Sequence, residues 1–179
     1  MKKLLLILLC VPLIGFGQQT YVPDDNFEAY LEANGMGNGV PNDDYVTTAN
    51  INTVTSLNVI NENIADLTGI ENFTDLTTLA CDSNQLNSFD ISNNTALTNL
   101  QCYSNQLTTL DVSVCTALTS LQCSYQQINS LDVSNNTALT HLMCSVNSIT
   151  SLDVSNNTAL ILLNCNTNSL SNLDVSNNT

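Results

Sequence analysis

Residues 97–117 read LTNLQCYSNQLTTLDVSVCTA, and residues 118–138 repeat the same pattern as LTSLQCSYQQINSLDVSNNTA. The 21-residue period continues on both sides of these segments, and one unit reads L-x-x-L-x-C-x-x-N-x-L-x-x-L-D-V-S-N-N-T-A. A fixed period of this length predicts a solenoid, in which each unit forms one turn that contacts only its neighbours.

Three columns of the repeat keep one type of residue at 21-residue intervals. The cysteine column is Cys81, Cys102, Cys123, Cys144 and Cys165; the strand asparagine column is Asn84, Asn105, Asn147 and Asn168, with Gln126 as its exception; the aspartate column is Asp90, Asp111, Asp132, Asp153 and Asp174. Within each unit, Leu and Cys alternate with period two, which predicts a short strand whose Leu and Cys side chains point inward. In the turn that begins at Leu97, the expected inward residues are Leu97, Leu100, Cys102, Leu107, Leu110, Val112 and Ala117.

The unit resembles the leucine-rich repeat L-x-x-L-x-L-x-x-N-x-L, with Cys at the third Leu position. The resemblance covers roughly residues 51–179, or about six turns. The first turn, which is offset by 22 residues and carries Val54, Leu57, Val59 and Ile64, resembles the internalin type. The later LDVSNNTAL turns resemble secreted repeat proteins of Bacteroidetes-like bacteria. The resemblance implies an α/β-type leucine-rich-repeat solenoid dominated by short parallel β-strands.

The far side of each turn leaves little room for a helix. Leu110-Asp111-Val112 alternates and ends in a β-branched residue, and Ser-Asn-Asn-Thr segments are typical of turns. We therefore expect extended or 3₁₀ structure on that side of the solenoid.

The first 17 residues have the features of a secretory signal peptide. Lys2 and Lys3 precede an apolar run that ends at Gly15-Phe16-Gly17, a small-x-small cleavage site, so we predict cleavage before Gln18. Without this segment the chain has 16 Asp and Glu residues and neither Lys nor Arg, which leaves a net charge of about −16. Such a polyanion cannot bind nucleic acid through counterion release or attach to anionic lipid, and no second apolar run reaches membrane-spanning length. We predict a secreted or cell-surface protein that is not inserted in a membrane after signal cleavage.

Residues 18–50 lie outside the repeat and are predicted to form an N-terminal cap. Asp24 and Asp25 suit a helix start, and Gly35 suits a helix stop, so we expect a short helix over roughly residues 25–33 that covers the first turn. The Gly- and Asn-rich stretch 34–44 is expected to be a loop. A calcium loop using Asp43 and Asp44 is the alternative, although the ligand spacing of an EF-hand is missing.

The opposite end stops within a repeat. Thr179 follows Leu173-Asp174-Val175 in mid-unit, so the last turn is expected to expose a strand edge and apolar side chains. We interpret the chain as a fragment of a longer protein with further repeats or other domains.

The cysteine column is predicted to be structural. In-register positions on neighbouring parallel strands lie about 4.8 Å apart, wider than the roughly 3.8 Å between Cβ atoms that a disulfide prefers, and a linear stack does not converge on zinc. Cys115 takes a position that Asn holds in other units, and we expect it to be an exposed free thiol. The strand asparagine column is expected to hydrogen-bond the turn backbone.

Two interpretations of the aspartate column remain. In one, each carboxylate accepts hydrogen bonds from the backbone amide and the Ser hydroxyl that follow it. In the other, the stacked carboxylates bind cations. The first is the interpretation we favour, so no metal site is predicted.

Catalysis finds no support in the sequence. His141 is the only histidine, and it stands at a variable position that is expected to face outward, with no second histidine for a dyad. We predict a protein that is not an enzyme and needs no cofactor.

Binding is predicted on the outward face of the strands, where residues vary between units. The most plausible contact residues are Tyr103, Gln122, Tyr125, His141 and Met143, because amphipathic aromatic residues and Met suit protein surfaces. The leading hypothesis is non-catalytic binding of an extracellular protein or glycan. The alternatives are a polar face without a ligand, a spacer or adhesin rod at the cell surface, and an ice-binding column. That column would consist of Thr95, Thr116, Thr137, Thr158 and Thr179.

Overall fold

A computed structural model describes residues 17–178 and shows a β-dominated solenoid. Six parallel strands form one sheet in sequence order: β3 Ser56–Asn58, β4 Thr78–Ala80, β5 Asn99–Gln101, β6 Ser120–Gln122, β7 His141–Met143 and β8 Leu162–Asn164. The register pairs Leu57 with Leu79 and then steps by 21 residues to Leu100, Leu121, Leu142 and Leu163. The predicted leucine-rich-repeat fold class is confirmed.

The N-terminal segment covers the first turn with a short helix, as predicted. Helix α1 runs from Asp25 to Ala33, and Asp24 caps it by accepting hydrogen bonds from the backbone amides of Asn26 and Phe27. It ends where the amide of Gly35, at φ +75°, donates to Glu32 and that of Met36 donates to Leu31. Its apolar face packs on the first turn, where the rings of Phe27 and Phe73 stack at a centroid distance of 6.4 Å.

The sequence patterns missed a small antiparallel pair in this segment. Strand β1, Gln19–Tyr21, pairs with β2, Tyr45–Thr47, and the short helix α2, Thr48–Ile51, follows directly. The loop predicted at 34–44 connects α1 to β2. The signal peptide predicted at residues 1–17 lies almost wholly outside the described residues.

A continuous apolar column fills the solenoid. Leu79, Leu100, Leu121 and Leu142 are fully buried, as are the first four members of the cysteine column. On the far side the chain is extended or turned, and the described residues contain one 3₁₀ helix, Ile70–Asn72, in the first turn. No helix among residues 17–178 is both long enough and apolar enough to cross a membrane.

Two burial predictions are wrong. Ala117 is exposed and the neighbouring Leu118 is fully buried in its place, because the chain turns at Thr116 and Ala117 before entering the next unit. Cys115 is fully buried instead of exposed, because its position points into the solenoid.

The last described turn is less well covered than the others. Ile161 is 81% exposed, and Leu173 and Val175 are also exposed, while Cys165 is half-buried. This is the exposed apolar edge that the sequence predicts for the final turn.

Candidate functional site

The outward side chains of the parallel sheet, here called the strand face, contain a shallow groove of about 280 Å³. Its walls come from strands β5 to β8 and from the residues directly after them. The lining residues are Tyr103, Gln122, Ser124, Tyr125, Met143, Ser145, Asn164 and Asn166. Four of the five predicted contact residues therefore lie together: Tyr103, Gln122, Tyr125 and Met143.

His141, the fifth predicted contact residue, lies outside the groove. It is half-buried at the start of β7, and its Nδ1 lies 2.9 Å from the hydroxyl of Thr140, the preceding residue. The described part of the chain contains no second histidine that could form a dyad with it.

Backbone conformation determines how Tyr125 reaches the groove. It has φ +57°, and the residues at 21-residue intervals, Ser83, Ser104, Val146 and Thr167, have φ between +52° and +56°. This left-handed residue turns the chain immediately after each strand. Left-handed conformation is uncommon for residues other than Gly, Asn and Asp. It leaves the Tyr125 side chain 60% exposed at the edge of the groove.

The floor of the groove is held by hydrogen bonds between turns. The hydroxyl of Ser145 lies 3.0 Å from that of Ser124, which also accepts the backbone amide of Ser145 at 3.0 Å. Two turns earlier, the carboxylate of Asp82 accepts the amide of Tyr103 at 2.8 Å. Both serines are buried, so the groove has a rigid polar base.

Four residues that the period-two alternation places on the outward face are buried: Ser124 and Ser145 in the floor of the groove, and Ala80 and Asp82 one or more turns before it. Ala80 is 7% exposed and Asp82 is 1% exposed. Asp82 lies beside the large residue Tyr103 of the next turn and bonds to its backbone. Burial raises the pKa of the Asp82 carboxyl to about 6, although the hydrogen bond from Tyr103 opposes this shift.

The strand asparagine column fixes the turn that follows each strand. The Nδ2 atom of Asn105 donates to the carbonyls of Cys81 at 3.0 Å and Cys102 at 2.9 Å, and its Oδ1 accepts the amide of Leu86 at 3.1 Å. Each side chain thus joins its own turn to the previous one. Asn84, Asn147 and Asn168 make equivalent bonds.

Gln126 fills the same column with two hydrogen bonds, where Asn105 makes four. Its Nε2 donates to the carbonyl of Cys102, and its Oε1 accepts the amide of Leu107 at 2.9 Å. The longer side chain reaches the previous turn but makes no bond to the carbonyl of its own turn at Cys123. The structural role predicted for this column agrees with these contacts.

A second asparagine column lies on the far side, and its hydrogen-bonding role was not predicted from the sequence. Asn94, Asn136, Asn157 and Asn178 each donate from Nδ2 to two carbonyls of the preceding turn, at distances from 2.8 to 3.0 Å. The Oδ1 atoms are buried, and none accepts a hydrogen bond from a described residue. Cys115 stands in this column, and its thiol lies 3.8 Å from the carbonyl of Asn94. The recurrence of the second Asn of the SNNT segment at 21-residue intervals is the sequence signal that could have indicated this column.

The carboxylates of the aspartate column accept hydrogen bonds from the residues that follow them, as in the interpretation we favour. The backbone amide of the Ser two residues later donates to each carboxylate at 2.8–2.9 Å. The Ser hydroxyl and then its amide lower the pKa of Asp111, Asp132 and Asp153. The amide and then the hydroxyl lower the pKa of Asp90 and Asp174. These bonds favour the ionised form and offset the repulsion between stacked carboxylates.

Burial keeps five cysteines, Cys81, Cys102, Cys115, Cys123 and Cys144, in the protonated thiol form. Burial raises the pKa of the Cys144 thiol to about 12 and that of Cys115 to about 11, and the Cys81, Cys102 and Cys123 thiols are shifted in the same direction. The six cysteines among the described residues are free thiols. Since the thiolate is the reactive form, these groups act as small apolar side chains.

The acidic residues of the N-terminal segment organise its loop. Asp25, Glu28 and Asp44 bring carboxylate oxygens within 4.8 Å of one another, and the buried Glu28 accepts the amides of Asp43 and Asp44 at 3.1 and 3.3 Å. Asp43 in turn accepts the amide of Tyr45 at 3.0 Å. Glu28 and Asp43 thus serve as backbone acceptors, and the bonds to Glu28 hold the loop against α1.

Sequence comparison places the repeats close to those of internalin J. Over 72 residues, 40% of the chain, the sequence is 42% identical to internalin J of Listeria monocytogenes serotype 4b (strain F2365), and the match covers 8% of that protein. No protein-family model matches the chain.

Structural comparison finds other solenoids. The functional domain of InlJ from Listeria monocytogenes, which includes a cysteine ladder, is 30% identical with a TM-score of 0.49 over 91% of this chain and 51% of that one. A leucine-rich-repeat protein of Leptospira interrogans is 22% identical with a TM-score of 0.66 over 70% of this chain and 34% of that one. The chain therefore spans about half or less of the length of these proteins.

The likeness to the Leptospira protein shows the fold, and the stacked 21-residue turns show the repeat from which it is built. The chain folds as a β-dominated leucine-rich-repeat solenoid, and 72 of its residues are similar in sequence to internalin J.

Proposed function

We propose that this chain is a non-catalytic binding module, exported from a bacterial cell, whose strand face binds an extracellular protein or glycan. The observation that carries the proposal is the groove. It gathers Tyr103, Gln122, Tyr125 and Met143 from consecutive turns onto one surface. Concave sites with aromatic walls and a few polar groups are the usual form of ligand sites.

Rigidity also supports binding at this surface. The strand asparagine column and the Ser124–Ser145 bond tie adjacent turns together below the groove. A site held by such a frame loses little conformational freedom when a ligand binds, which increases affinity. The same inter-turn bonds also suit the second candidate function, a spacer rod at the cell surface, for which the strand face needs no ligand.

Binding measured on arrays of extracellular protein domains and of glycans distinguishes these two functions. The wild-type chain is compared with a variant carrying Tyr103→Ala, Gln122→Ala and Met143→Ala. The matched control variant carries Thr95→Ala, Thr116→Ala and Thr137→Ala, three exposed residues between the strands of successive turns.

The proposal predicts ligands that the control retains and the groove variant loses, with both variants as stable as the wild type. Equal binding by all three proteins would refute a role for the groove. An array on which the wild type binds nothing would support the spacer rod.

A further inference from the structure

The groove is uncharged although the chain is strongly acidic. None of its lining residues is an Asp, Glu, Lys, Arg or His, whereas the whole sequence has a formal net charge of −14. The adjacent carboxylate of Asp82 is buried and bonded to the backbone of Tyr103, so it does not enter the groove. The net negative charge of the chain would repel an anionic ligand, and the groove has no cationic side chain to offset that repulsion. A cationic ligand would bind more favourably to the carboxylates outside the groove.

The polar groups of the groove suit hydroxyl groups. The carboxamides of Gln122 and Asn166 make no side-chain hydrogen bond to any described residue, and both form part of the lining. A carboxamide offers two donors and an acceptor with two lone pairs. A hydroxyl group both donates and accepts, so a ligand rich in hydroxyl groups can satisfy both halves of each amide.

The apolar groups suit the faces of sugar rings. Tyr103 is 38% exposed and Tyr125 is 60% exposed, and Met143 lies in the same groove. Tyrosine offers a flat apolar surface and a polar hydroxyl at its end. A pyranose ring likewise combines an apolar C–H face with polar hydroxyl groups at its rim.

The groove is elongated along the solenoid axis. Its lining residues come from β5 to β8 or from just after these strands, and neighbouring strands lie about 4.8 Å apart, so it extends over about 14 Å. This length accommodates a short chain of sugar rings that crosses successive turns.

We propose that the groove binds an uncharged oligosaccharide, with its sugar rings on Tyr103 and Tyr125 and its hydroxyl groups on the amides of Gln122 and Asn166. This rests on the proposed binding function and specifies the ligand class. A protein ligand at the same groove would leave that function intact and contradict this inference.

The test measures binding of the intact chain to three sets of immobilised probes. They are neutral gluco-, manno- and galacto-oligosaccharides, their sialylated or sulfated counterparts, and a library of unmodified peptides. Each probe is measured at low and high NaCl concentration with the wild type, Tyr103→Ala, Tyr125→Ala and the control Tyr21→Ala. Tyr21 is also exposed but lies in β1, away from the groove. Thermal unfolding establishes that each variant is folded.

We expect a neutral oligosaccharide to bind with an affinity that salt leaves unchanged, because neither partner contributes charge at the site. Loss of either groove tyrosine should weaken that binding about two- to tenfold, the range expected for one aromatic contact, whereas Tyr21→Ala should not. Four results would overturn the inference. They are binding restricted to peptides, a preference for anionic saccharides, saccharide binding that neither groove tyrosine affects, and no saccharide binding. Peptide binding that depends on the groove tyrosines would overturn the inference while leaving the proposed function standing.

Discussion

Removing the Asn105 side chain tests how the turns are held together. The carboxamide makes four hydrogen bonds: it donates to the carbonyls of Cys81, Cys102 and, at 3.4 Å, Tyr103, and it accepts the amide of Leu86. Each bond is worth about 1 kcal/mol net, and each buried group left unpaired costs about 1–3 kcal/mol. Asn105→Ala should therefore lower the free energy of unfolding by about 3–5 kcal/mol.

The chain supplies its own graded comparison for this position. Gln126, in the same column, keeps one carbonyl bond and one amide bond. Asn105→Gln should therefore lose the bonds to the carbonyls of its own turn, the 2.9 Å bond to Cys102 and the long bond to Tyr103, and cost about 1 kcal/mol. Asn93→Ala is the matched control, because Asn93 is exposed and makes no side-chain hydrogen bond to a described residue, so its effect should be within about 0.5 kcal/mol.

Urea unfolding monitored by circular dichroism and tyrosine fluorescence measures these differences, since the chain has five Tyr and no Trp. The midpoints should rank Asn93→Ala close to wild type, then Asn105→Gln, then Asn105→Ala. If Asn105→Ala unfolds at the same midpoint as the control, or Gln is as damaging as Ala, then the inter-turn bonds do not carry the stability assigned to them.

Three further substitutions test other features. Gln126→Asn should raise the free energy of unfolding by about 1 kcal/mol by adding the missing bond to Cys123, and an unchanged urea midpoint would contradict this. Val146→Asn should raise the free energy of unfolding by about 1 kcal/mol, since Val is strained at φ +53° and Asn is not. Val114→Asn, at an exposed valine without a positive φ, should not raise it. Asp82→Asn should stabilise the protein only above acidic pH. The folded pKa of Asp82 is raised to about 6, so ionisation destabilises the fold increasingly from about pH 4 to pH 6 and fully above it. Thermal melts of both proteins should coincide near pH 4 and differ by about 3 kcal/mol at pH 7.5, and equal melts at both pH values would refute the burial argument.

The spacing of apolar residues was sufficient to predict the solenoid. Leu100 and Leu121 pair in register on neighbouring strands. With a 21-residue period, stacking the turns as parallel strands buries every inward side chain. Helix α1 was predictable for a local reason, since Asp24 and Gly35 supply the cap and the stop within a few residues of sequence. The β1–β2 pair was not, because two three-residue strands without a repeated pattern depend on contacts made after the chain folds.

Burial at the strand face could be predicted only in part. The period-two alternation of the strand places the Asp82 side chain outward. In the structure Tyr103, 21 residues later in the next turn, lies beside it, and the burial of Asp82 depends on that neighbour. Cys115 was misjudged because Asn at the equivalent positions suggested an exposed turn, whereas those amides point inward and bond the previous turn. Variation between units, together with side-chain type, indicated four of the eight residues that line the groove, whereas Ser124, Ser145, Asn164 and Asn166 were not among the predicted contacts. His141 was included on the same signal, although its register position puts it at the opposite end of its strand from the groove.

Each turn from the second onward carries a thiol of the cysteine column, and the reactivity of that thiol reports whether the interior of the turn is exposed to solvent. A thiol sealed in the interior escapes an alkylating reagent until its turn detaches, and each alkylation then adds a fixed mass to the chain. Cys165, which is only half-buried, should be modified first, and later additions would record the order in which the remaining turns separate. In a Cys115→Ala variant, which leaves one thiol in the turn at residues 97–117, the loss of structure can thus be counted turn by turn in a mass spectrometer.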